Sequence, residues 1–198
     1  MAIVAGRPTL FLIAGPNGAG KSTFYETVLA ERIAAPFINA DIIQRDELGD
    51  PSPEASYRAA EIAGDRRRQH IAAGQSFVME TVFSHPSKIE LLQDARDAGF
   101  RIIVFHLALA SADLAVARVA ARIDEGGHPV PEDKIRERFK RNRPLIRQAA
   151  LLADRAMIFD ASALNERPEV LLELAHGQVV RRAGRVPEWF GGLYPGLE

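Results

Sequence analysis

Gly15-Pro16-Asn17-Gly18-Ala19-Gly20-Lys21-Ser22-Thr23 lies between a short apolar run, Thr9–Ala14, and a segment that reads as helix from Lys21 to Ala30. The stretch fits G-x-x-x-x-G-K-[ST] in the strand–loop–helix context that this pattern needs. Its glycines let the backbone fold tightly around phosphates, and the amides of the loop and helix start point at them. Lys21 is placed to reach the terminal phosphates of a nucleotide and the Ser22 hydroxyl to ligate Mg²⁺. Residues 15 to 23 are therefore the expected ATP cradle, with Ser22 as the metal ligand.

Outward from the cradle, strands and helices alternate. Phe37–Asp41 reads as a second strand ending on a carboxylate. Ser52-Pro53-Glu54 has the capping side chain, first-turn proline and acid of a helix start, and that helix should stop at Gly74. Ser76–Thr81 is a third strand with Glu80 near its end, and Pro86–Ala98 a helix stopped by Gly99. Arg101–Leu109 is the fourth strand, Ala112–Ile123 a helix, and Ala156–Asp160 the fifth strand. The segment opened by Pro131 reaches Leu152, with a kink or break expected near Pro144. Val170–Arg182 reads as a hairpin turning at His176-Gly177. The expected fold is one α/β domain over 1–198. It is a P-loop kinase-like parallel five-stranded sheet with helices on both faces, a lid over about 125–145 and a C-terminal hairpin over about 168–183. Ligand sites then lie beyond the C-terminal strand ends, where Gly15, Asp41 and Glu80 converge.

Composition narrows the function. A net charge of −1 argues against a general nucleic-acid binder. No apolar run approaches the roughly 18–20 residues of a membrane span, and no secretion signal is legible. The absence of cysteine excludes a disulfide framework and fits a cytoplasmic protein. Arginine supplies 21 of the 25 basic residues, which reflects arginine-rich codon usage, phosphate-clamping forks, or both. There is no Asn-Lys-x-Asp element for guanine and no strand ending in Asp-Glu, so a small-molecule kinase with a closing lid is favoured over a GTPase or a mechanical ATPase.

On a helical wheel at about 100° per residue, Ile135, Phe139, Leu145, Ile146, Ala149 and Leu152 share one arc. Arg136, Lys140, Arg143 and Arg147 fall opposite and read as solvated. Arg138 projects into the apolar arc and Arg141 lies at its edge, so both are candidates to face a phosphate cleft. Arg118 and Arg122 share a face of the preceding helix, where a phosphate contact and a solvated face stand equally open. Arg66-Arg67-Arg68 reads as a solvated run. His85 and His128 read as satisfied histidines more readily than as substrate contacts, and the five histidines show no metal-ligand spacing.

In order along the chain, the cradle, Asn39-Ala40-Asp41, Glu80-Thr81-Val82-Phe83-Ser84 with His85-Pro86-Ser87-Lys88, and Gly126-Gly127-His128-Pro129-Val130-Pro131 resemble the zeta toxin family of P-loop kinases. Arg138-Phe139-Lys140-Arg141 and Val186-Pro187-Glu188-Trp189 add weaker support. The resemblance implies transfer of phosphate from ATP–Mg²⁺ to a sugar hydroxyl of UDP-N-acetylglucosamine, and an antitoxin as possible partner. The family's proton-accepting aspartate falls on Asp41, its substrate-binding glutamate on Glu80, next to Thr81, and its phosphate-clamping arginines on Arg138 and Arg141. Ala161 departs from the asparagine that commonly follows the residue matching Asp160. A diphosphate acceptor also demands positive charge, for which Arg45 and Lys88 are the candidates.

The resulting expectation is an ATP-dependent kinase with Lys21, Asp41, Arg138 and Arg141 as catalytic groups. Asp41, Glu80, Thr81, Arg45 and Lys88 are expected to bind the acceptor. A kinase of another acceptor, such as a free amino sugar, and an ATP-binding regulatory module are the alternatives.

Overall fold

Apolar residues alternate along the central strands, so these strands feed two cores. Leu10, Leu12 and Ala14 enter one and Ile13 the other, with Ile102 and Val104 set against Phe105 and Leu107 in the same way. The computed structural model describes residues 6–123 and 130–197. β1 (Thr9–Ala14), β2 (Phe37–Ile38), β3 (Phe77–Thr81), β4 (Arg101–Ala108) and β5 (Arg155–Asp160) pair in parallel. β6 (Glu169–Ala175) and β7 (Gln178–Arg182) extend the sheet antiparallel, in the order β2-β3-β1-β4-β5-β6-β7. The hairpin turn has φ 50° at His176 and 74° at Gly177, the pair of left-handed conformations that matches the strand twist of a tight hairpin.

α1 (Lys21–Phe24) runs on as a π-helical turn over Tyr25–Leu29 and packs on one face with α5 (Ala112–Ile123). α3 (Pro53–Ala72) and α4 (Ser87–Asp97) cover the other. The Ser52 hydroxyl accepts the Ala55 N–H and so caps α3, as its sequence predicts. Among the described residues no helix is long and apolar enough to cross a membrane.

The expected strand Phe37–Asp41 stops at Ile38. Asn39 caps a new helix instead, α2 (Ala40–Ile42), which continues as π-helix over Ile43–Leu48. Asp41 therefore sits in the first turn of a helix. The Asn39 side chain offers the backbone a partner that a strand ladder would not, and the helix follows.

α6 (Glu132–Leu152) runs through Pro144 as one continuous helix, so the break, one of the two expectations there, does not occur. Ile135 and Phe139 lie in one core and Ile146, Ala149 and Ala150 in the other, so burial on both sides of the proline outweighs its one missing hydrogen bond. The expected lid falls partly on residues 124–129, outside the described residues.

The solvated reading of Arg143 and Arg147 is also corrected. Beyond β7, α7 (Glu188–Gly191) and the residues after it fold onto this part of α6. They bury Phe190 and Tyr194 completely and leave both arginines half-buried around a cavity of about 420 Å³. The Tyr194 hydroxyl and His106 Nδ1 are 2.8 Å apart inside this packing. Burial, aided by Arg143, holds the His106 imidazole down to about 3 and so neutral. Arg136 and Lys140 do remain exposed.

Candidate active site

Gly15 must be glycine: a Cβ there would stand 2.3 Å from the Leu107 carbonyl oxygen of the neighbouring strand. The cradle can therefore pass flush against β4 before α1 begins. Lys21 is only 8% exposed, and its ammonium donates to the Pro16 carbonyl at 3.0 Å. Glu80 Oε1 lies 3.8 Å away. Burial pulls the Lys21 amine below the usual lysine range and Arg122 adds to this, while Glu80 and Asp41 oppose it. Asp41, Glu80 and Arg122 thus all lie within electrostatic reach of Lys21.

Glu80 is the junction of the site. Its Oε2 accepts the Ser22 hydroxyl at 2.9 Å and the Asn39 side-chain amide at 2.8 Å. The Asn39 carbonyl oxygen in turn accepts the backbone N–H of Asp41 at 2.7 Å and of Ile42 at 3.4 Å. One buried side chain fixes both the Glu80 carboxylate and the helix start that presents Asp41. Asn39 stood in the motif comparison without a role, and only the fold gives it one.

This arrangement fits a nucleotide with Mg²⁺. A lysine with three donors and one short hydrogen bond has donors left for phosphate oxygens. Ser22 and Glu80 supply adjacent hard oxygens, the donor type Mg²⁺ takes alongside phosphates and water. Among the described residues no cluster of three or more His, Asp or Glu could hold a metal by itself.

The other predicted residues separate. The Thr81 hydroxyl accepts the Phe83 N–H at 3.0 Å and supports a buried phenylalanine held at φ 57°. That strained turn shapes the exit of β3. Arg45 is exposed and paired with the adjacent Asp46. Arg141 is exposed and pairs with Glu137 at 3.4 Å. Arg138 is half-buried and has no ion pair among the described residues. Lys88 lies beside α3, against Arg67. His85 Nδ1 caps the turn at Ser87, and His128 lies outside the described residues.

Neither earlier reading suits Arg118. Its guanidinium donates to the carbonyls of Ala161, Ser162 and Ala163 at 2.6, 2.8 and 2.9 Å, and to that of Gly18 at 3.4 Å. It ties the cradle to the loop after β5, a role with no local sequence signal because the acceptors are backbone.

Replacing Asn39 separates its two tasks. Asn39→Ser keeps a helix cap but is too short to reach Glu80, so melting should stay near parental. Turnover should fall roughly 10–100-fold, the worth of a hydrogen bond to a charged group. Asn39→Ala also loses the cap and should melt lower, by about 1 kcal/mol of stability. Paired melting and rate measurements check both. Parental rates in Asn39→Ser would show that Glu80 needs no such support.

Known proteins support the same fold. A solved structure from Chloroflexus aurantiacus, provisionally named a kinase, shares 24% identity at a TM-score of 0.53, over 67% of this chain and 76% of that one. The AvrRxo1-ORF1:ORF2 complex with ATP matches at 18% identity and TM-score 0.62, over 88% of this chain and 60% of its own. The PezAT toxin–antitoxin system of Streptococcus pneumoniae matches at 18% and 0.57, over 79% and 69%. These likenesses establish a P-loop kinase-like α/β fold. Residues 10–145 match the sequence profile of an AAA domain family, AAA_33, and the chain therefore belongs to that family.

Proposed function

We propose that this protein is an ATP-dependent kinase of a small hydroxyl-bearing molecule. The observation that carries the reading is the junction at Glu80, which joins the Ser22 hydroxyl, Lys21 and, through Asn39, the Asp41 helix. A nucleotide-binding module needs the cradle. It does not need a second carboxylate presented beside it.

ATP supplies the phosphoryl group, and Mg²⁺ neutralises charge on its phosphates. The cradle amides and Lys21 hold the phosphate chain, with Ser22 as metal ligand and Glu80 holding a metal-bound water or the acceptor. Asp41, exposed in the first turn of α2, accepts the proton of the acceptor hydroxyl. Asp41→Asn keeps the shape but loses the basicity, and kcat should fall roughly 10²–10⁴-fold with ATP affinity nearly unchanged. A near-parental kcat would assign the proton to another group. Arg122, whose charge acts on Lys21, and Arg138, unpaired among the described residues, are the arginines assigned here to stabilise charge on the transferred group. Closure of a lid built from the start of α6 belongs to the same proposal.

For the acceptor, the zeta toxin-like motifs favour the N-acetylglucosamine moiety of UDP-N-acetylglucosamine, and the PezAT likeness favours an antitoxin partner. The test is a side-by-side rate measurement with ATP–Mg²⁺ on UDP-N-acetylglucosamine and on free N-acetylglucosamine, with mass spectrometry locating the new phosphate. The nucleotide sugar should turn over faster. Faster turnover of the free sugar would overturn the acceptor and leave the kinase, whereas no phosphate gain with any hydroxyl metabolite of a cell extract would overturn both.

A further inference from the structure

Arg67 does not belong to a solvated run. It is 4% exposed, turned inward from α3 beneath β2. Its Nη2 makes one long hydrogen bond, 3.4 Å to the Ile38 carbonyl, and its Nε has no partner. No carboxylate lies within ion-pair distance of it among the described residues. Removing a guanidinium from water without a counter-charge is costly, and burial lowers this one to about 10.

Lys88, in the first turn of α4, faces the same place. Burial depresses its amine, and repulsion from Arg67 and Arg68 depresses it further. Arg68 is partly neutralised by Asp65. Between the helices lies a cavity of about 200 Å³, walled by Arg67, Arg68, Ser87, Lys88, Glu90 and Asp94. That is several times the ~30 Å³ share of one water. Glu90 and Asp94 form no ion pair with Arg67 or Lys88. The Ser87 side chain lines the same groove, its hydroxyl 2.8 Å from His85 Nδ1.

We propose that the groove between α3 and α4 binds a phosphate group, gripped by the buried Arg67 and by Lys88. The group is either free phosphate or a phosphate already carried by the acceptor, since Arg67 reaches the carbonyl just before Asn39 and Lys88 follows the exit of β3. Binding is read without turnover, so the proposal stands or falls apart from the kinase reading.

The test titrates inorganic phosphate into the full chain by calorimetry, with one equivalent of ADP–Mg²⁺ present to fill the cradle. One phosphate per chain should bind and raise the melting temperature. Lys88→Gln should weaken binding roughly 10–100-fold, the loss of one charged hydrogen-bond donor. Arg67→Met should abolish it while raising the melting temperature of the phosphate-free protein, because a buried unpaired charge is removed. Arg181→Ala, a surface control, should bind as the parent does. Competition by UDP-N-acetylglucosamine would assign the groove to the acceptor's phosphate, and failure to compete would assign it to free phosphate. The absence of saturable phosphate binding beside ADP–Mg²⁺ would overturn the proposal, as would parental affinity in Lys88→Gln. Lys88→Gln decides alone if Arg67→Met does not fold.

Discussion

Lys21→Ala is expected to abolish phosphoryl transfer while the fold survives. The lysine is buried yet, among the described residues, holds only a cradle carbonyl and, at 3.8 Å, Glu80. Glu80 keeps its bonds to Ser22 and Asn39 when the amine is gone. Removing a buried amine whose charge is already disfavoured costs the folded state little. The transferred phosphoryl group, by contrast, loses a preorganised positive charge in a water-poor site. Losses of this type cost about 10²–10³-fold for one neutral donor, and a full charge should exceed that. Melting and far-UV spectra should match the parent, with turnover below detection. Parental turnover would remove the cradle from the mechanism.

The second large effect is expected at Arg122. An arginine that stabilises the phosphoryl transition state supplies about 10³–10⁵ in rate. Arg122 and Arg141 are both exposed, but Arg122 adds its charge to the field on Lys21, whereas Arg141 is paired with Glu137. Arg122→Ala should therefore approach that loss. Arg141→Ala should stay within a few-fold of the parent, and Arg138→Ala should fall between them. Steady-state kcat on one acceptor ranks the three. Equal effects at Arg122 and Arg141 would show that closure rearranges the lid beyond the geometry described, and would return Arg141 to the site.

The elements legible in sequence were those whose signals are local. The cradle, the Ser52-Pro53-Glu54 start, the Gly74 and Gly99 stops and the His176-Gly177 hairpin all rest on residues a few positions apart. Each appears where those residues place it. The Asn39 helix was missed because an apolar pair, Phe37-Ile38, reads as strand. The capping bond that ends the strand depends on how Asn39 is turned, and its amide is turned toward Glu80, 41 residues away in sequence.

The arginines mark the limit most clearly. A helical wheel separates faces but does not say what covers them. It set Arg143 and Arg147 in solvent because nothing local announces that residues near Tyr194 fold over that face. Arg66-Arg67-Arg68 reads as a solvated run for the same reason, although β2 and α4 are the true neighbours of Arg67. By itself the sequence determined the α/β order of elements, the phosphate cradle and the carboxylates that accompany it, since those follow from backbone chemistry and short-range periodicity. Only the tertiary structure decided which cations face which anions, because long side chains are placed by packing between segments remote in sequence, where burial and pairing, not local propensity, set the energy.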